Sequence, residues 1–249
     1  MCRAGSDLLR APEFGRNPAN RYNYQMPNDA FLSVWCRDFR DELLPERFEQ
    51  FLSTVPFSTA QSGFSNLVIR AVGPQEAPLF ESVIGRVYQD PVEIVELVRE
   101  HLNADSAYEA RGFWDLWGLN TATGVWQLQP EAVEIRCYGE EYDDGIWREY
   151  GHFQVDIGFE HFFTGHARLL GFGSEPAAAT QHPDEARFLK LMTERESFRT
   201  YHERTRENIR KLLDWMQRIE RTLPVDRALL WSEGEENFEA RIEEILAVR

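Results

Sequence analysis

His152, Gln154 and Asp156 stand at alternate positions in one run of the sequence, and Glu134 and Arg136 do so in another. Side chains two apart on a strand share a face. Each run therefore puts its ionisable groups on one side, and Val133, Ile135, Cys137 or Phe153, Val155, Ile157 on the other. If the acidic stretch Gly139–Gly145 is a hairpin turn that pairs Tyr138 with Ile146, then Arg148 and Tyr150 join the polar face. A histidine beside a carboxylate can act as a general base or hold a metal ion. His152, Asp156 and Glu134 are thus candidate ligands or acid–base groups, and Arg136 or Arg148 could meet an anionic substrate. Rows of mixed sign more often form cross-strand ion pairs on a wetted sheet.

Other candidates carry less. His161 and His166 add imidazoles, but no His-Glu-x-x-His and no paired cysteines accompany them. Glu140, Glu141, Asp143 and Asp144 lack the alternating spacing of a calcium loop. Ser65 has no second glycine to form a nucleophile elbow, and Gly171-Phe172-Gly173-Ser174 matches neither a phosphate-binding nor a dinucleotide fingerprint. No cofactor is expected. The aromatics Phe113, Trp114, Trp117 and Trp126 suit a core better than a stacking platform, and the arginines of the long C-terminal helix alternate with glutamates at ion-pair spacing.

The elements that must position the polar row read as an α+β domain with a largely antiparallel sheet. A strand at Phe31–Arg37 precedes a helix with Pro45 in its first turn and Phe48, Phe51, Leu52 and Val55 on one stripe. Strands at Phe64–Val72 and Leu79–Tyr88 follow. A helix capped by Asp90-Pro91-Val92-Glu93 and a strand at Ser106–Trp117 complete a ferredoxin-like βαββαβ order. Further strands between Val125 and Phe163 extend the sheet. Residues 1–28 read as an extended arm, 29–170 as the sheet domain and 171–249 as a helical region. The last contains one long helix from about Asp184 to Leu223 and a final amphipathic helix bearing Phe238, Ile242, Ile245 and Leu246.

With 249 residues, 43% of them hydrophobic, the chain can bury a substantial core without disulfides. Its net charge of −15 disfavours nucleic acid and anionic membrane and favours basic partners. Cys36 and Cys137 fall on apolar sides of strands, and no run approaches a membrane span, so a cytoplasmic protein is expected. The function expected is a non-enzymatic protein-interaction module, possessing a protein partner or self-associating as a homo-oligomer through the long helix or the sheet. The alternative is a metal-assisted hydrolase working from the polar row.

Overall fold

The computed structural model describes residues 28–120, 123–165, 188 and 190–247. The arm before Asn28, His166 and the Gly171–Pro176 segment lie outside these. Strands β1 (Asp29–Cys36), β2 (Asn66–Ala71), β3 (Phe80–Glu81), β4 (Ser106–Asn120), β5 (Val125–Tyr138), β6 (Phe153–Phe159) and β7 (Val225–Ser232) form one sheet. Their order is β3-β2-β4-β5-β6-β1-β7, with every neighbouring pair antiparallel. Helices among the described residues include α1 (Leu44–Leu52), α2 (Pro91–Glu100), the short turns α3 (Trp147–Tyr150) and α4 (His161–Thr164), α5 (Arg195–Thr222) and α6 (Phe238–Ala247).

The strand–helix–strand–strand–helix–strand order is present along the chain, but the sheet is not paired in the ferredoxin-like way. There the first strand would lie between the third and fourth; here β1 lies beyond β5 and β6, between β6 and β7. The reason is burial on both faces: Phe31, Ser33 and Trp35 are buried as well as Leu32 and Val34, so β1 belongs inside a wide sheet. The long β4–β5 hairpin pairs locally, and the far edge of β5 takes β6.

One face of the sheet carries the core. Leu32, Leu67, Tyr108, Trp114, Ile135, Phe153 and Val155 meet Phe48, Phe51 and Leu52 of α1, Ile94 and Val98 of α2, and Ile209, Leu212, Trp215 and Ile219 of α5. Pro45 opens α1, and Asp90 caps α2 by accepting from the Val92 N–H at 2.9 Å. Trp114 and Trp215 pack 5.4 Å apart, and the Trp215 indole N–H donates to Thr54 Oγ1 at 3.0 Å. Cys36 and Cys137 are free and buried in this layer.

The C-terminal third differs from an all-helical region. The chain turns at Thr193 and Glu194 before α5 begins at Arg195. Pro224 ends the helix, as expected, and its carbonyl accepts from the Arg37 N–H at 2.8 Å, which delivers Val225–Ser232 to the edge of β1 as a seventh strand. Among the described residues no helix is long and apolar enough to cross a membrane.

Candidate functional site

The second face of the sheet holds the polar row, and the strand registers order it into three lines. The first runs Trp231, Phe31, Asp156, Glu134, Arg111, Asn66 across β7, β1, β6, β5, β4 and β2. A second runs Leu229, Ser33, Gln154, Arg136, Glu109, Val68. The third contains Trp35, Tyr138, Ala107 and Arg70, with His152 beside Tyr138. Glu134, Arg136 and Asp156 therefore share one face, as expected, with Glu134 directly opposite Asp156.

His152 does not join them. It lies four residues from Asp156, which on an extended strand separates the two by about 13 Å. Its imidazole is sandwiched between Phe39 (4.2 Å) and Trp147 (4.5 Å), and Nδ1 accepts the Cys36 backbone N–H at 3.0 Å. Because an N–H can only donate, Nδ1 carries no proton in this arrangement. Burial pulls its pKa down to about 4. The ring is thus held on both faces and at one nitrogen.

Arg148 is displaced for a related reason. Residues 139–151 do not form a hairpin turn that pairs Tyr138 with Ile146; Tyr138 instead takes the His152 carbonyl. Asp143 and Asp144 both adopt left-handed backbone, which short acidic side chains tolerate. A 3₁₀ turn at Tyr142–Asp144 and α3 follow. Arg148 thus points from a helical turn, donating to the Asp144 carbonyl and lying over the Trp147 ring. Tyr142 stacks on Tyr138, Trp147 accepts at its carbonyl from the Trp35 indole, and Tyr150 reaches Trp231, so the loop roofs one end of the polar face. Gly151 seats this loop: at φ +91° its Cα comes so close to β1 that a Cβ would stand 2.7 Å from Val34 N and 2.8 Å from its O.

The remaining polar groups form an alternating chain. Arg70 pairs with Glu109 at 3.2 Å, Arg136 lies 4.0 Å from the other Glu109 oxygen, and Arg136 pairs with Glu134 at 2.8 Å. Burial opposes the Arg136 charge, but Tyr138, Glu134, Glu109 and Asp156 more than offset this and raise its pKa. The Tyr138 hydroxyl donates to Gln154 Oε1 at 2.6 Å. Asp156 accepts the Gly158 N–H at 2.9 Å; burial first, then Asp29 and Glu134, push its pKa up to about 6 against the pull of Gly158 and Arg136. The face can hold and release a proton at Asp156 in a mildly acidic range. No group of three His, Cys, Asp or Glu among the described residues is placed to hold a metal ion.

A different surface was missed by sequence reasoning. The strand expected at Leu79–Tyr88 is only two residues long; Val72 and Leu79 before it are 62 and 59% exposed, and Val83, Ile84 and Val87 after it are 78, 101 and 47% exposed. One signal was present in the sequence. Val83 and Ile84 are adjacent and followed by Gly85, so they break the alternation a half-buried strand requires. Val72, a β-branched residue, is held at φ +70°, and its carbonyl accepts from Asp143 N–H at 2.9 Å. Comparison of the chain with protein-family models, curated proteins and solved structures found no match.

Proposed function

We propose that this protein is a non-enzymatic interaction module that engages a protein partner at its β3 end. The observation that carries this is the group of exposed apolar side chains Val83, Ile84 and Val87 in the turn that leaves β3. Single apolar residues are common on surfaces, but a cluster of them is a feature of binding sites. Full burial of a Val, Leu or Ile side chain stabilises by about 1.5–3 kcal/mol, so covering two or three matters to binding. The apolar stripe of α5 offers less, because Ile209, Leu212, Trp215 and Ile219 are already buried in the chain's own core.

The test compares the full chain with a Val83→Ser, Ile84→Ser variant by light scattering over a concentration series and by cross-linking in extracts of the source cell. Both side chains are exposed, so the melting temperature should stay within about 2 °C. Self-association or a specific cross-linked complex should be lost in the variant. A monomer at every concentration with identical cross-linked species in both proteins overturns the proposal.

A second reading, acid–base chemistry on the polar face, is favoured by one observation: the raised Asp156 carboxyl opposite Glu134. Its metal-assisted form would need ligands other than His152, whose Nδ1 is occupied and whose ring is stacked on both faces.

A further inference from the structure

We infer that the polar face where β1 meets β6 binds a neutral saccharide, a function separate from the β3 end and resting on other residues. The strand register sets four side chains in one square of the sheet, with Phe31 opposite Asp156 and Ser33 opposite Gln154. Gln154 is 7% exposed, and its Oε1 accepts from the Tyr138 hydroxyl at 2.6 Å. That bond turns Nε2 to the side away from Tyr138. The nitrogen has no partner among the described residues and is not one of their enclosed, unsatisfied nitrogens, so it opens onto the face with both N–H groups unspent. A nearly buried amide with unspent donors costs stability until something accepts from it. Asp156 accepts the Gly158 N–H at 2.9 Å through one oxygen, and its other oxygen has no partner among the described residues.

Two residues apart on one strand, the amide and the carboxylate stand roughly 7 Å from each other. Each matches a different side of a hydroxyl group, whose oxygen accepts from the amide while its proton goes to the carboxylate. An ammonium ion cannot accept and a carboxylate ligand has no proton to give, so a charged ligand satisfies only half of the pair. The adjoining wall is aromatic. Phe31 is stacked on Trp231 at 4.3 Å, Tyr150 lies 5.8 Å from Trp231, and the Trp231 indole N–H is tied to Ser33 Oγ at 3.1 Å. Rings held in place in this way present an apolar surface to the C–H side of a sugar at little entropic cost. Water fits the hydroxyl position as well, but it has no carbon face for the rings. On the far side of Asp156, Arg136 is committed to Glu134 at 2.8 Å and does not close the gap.

A printed array of neutral oligosaccharides probed with the labelled full chain selects a glycan. Its titration is then followed through the side-chain N–H signals of Gln154 and Trp231 in a nitrogen–proton correlation spectrum. Both signals should shift, and the affinity should stay constant between about 50 and 300 mM salt. Asp156→Asn keeps an oxygen for the Gly158 N–H and should weaken binding at least about ten-fold, as should Gln154→Met. Val83→Ser with Ile84→Ser should leave the affinity unchanged, which separates this site from the β3 end. An array that retains no glycan overturns the inference, and so does retention that survives Asp156→Asn or leaves the Trp231 signal unmoved. Salt-sensitive binding of butylammonium or choline in place of any glycan overturns it too and makes the face a cation site. Should Gln154→Met fail to fold, Asp156→Asn at its half-buried position and the spectrum of the parent chain still decide.

Discussion

His152 and Asp156, four residues apart, are perturbed in opposite directions, and their pH linkages oppose one another. The folded His152 has a pKa of about 4 against 6.5 for the free side chain, so between those values the unfolded chain holds a proton that the folded chain lacks. Stability from this group is complete above about pH 6.5 and falls on acidification to about pH 4, by on the order of 2–3 kcal/mol. Asp156 has a folded pKa of about 6 against 3.8. Its contribution is present below 3.8 and is lost as pH rises through 6. The two slopes offset each other over nearly the same window. An Asp156→Asn variant should therefore lose stability between pH 6.5 and 4 more steeply than the parent, measured by urea denaturation at several pH values. Parallel slopes would show that the two groups are not balanced in this way.

At the scale of elements, the β2–β3 connection begins with a strained residue. Left-handed backbone costs an L-residue roughly 1–2 kcal/mol, and more for a β-branched one such as Val72. Val72 is 62% exposed, so little packing is lost on replacing it. Val72→Asn should raise stability by about 0.5–1 kcal/mol, read as an upward shift of the denaturation midpoint with an unchanged slope. A destabilised variant would mean that the valine side chain contributes contacts that outweigh the backbone strain. The long helix shows the reverse relation between pattern and place. The positions at multiples of seven, Thr205, Leu212 and Ile219, are buried, but α5 is covered by β4 together with α1, α4 and α6 of the same chain rather than by one partner helix. A heptad-like stripe records that one face is covered and does not identify what covers it.

For the whole molecule, the sheet does not stop where the composition changes. β7 follows α5 and pairs with β1 through seven residue pairs, and α1, α2, α5 and α6 share one core with the sheet. Urea unfolding should thus appear as one transition, with far-UV circular dichroism and tryptophan fluorescence superimposed, since Trp114 of β4 and Trp215 of α5 report from the same layer. Two separated transitions would show that residues after 171 fold as their own unit. The edge strand β7 is partly closed: the Leu230 N–H donates to Glu239 of α6 at 2.9 Å, a device that blunts edge-to-edge pairing.

Local physics made much of this chain legible. Alternation in Glu134–Tyr138 and Phe153–Phe159 assigns one face to the core and brings Glu134, Arg136 and Asp156 together, because the two-residue period of a strand does not depend on its neighbours. Pro45, Asp90 and Pro224 mark helix ends for equally local reasons, through a fixed φ, a capping oxygen and a missing N–H. Pairing is not local. That β1 lies between β6 and β7, that residues 139–151 fold over the sheet and pin His152 between two rings, and that Val83 and Ile84 are left outside follow from which surfaces cover which. The pairing of β1 with β6 and β7 and the stacking of Phe39 on His152 join residues more than a hundred positions apart, and only the folded chain brings them within range.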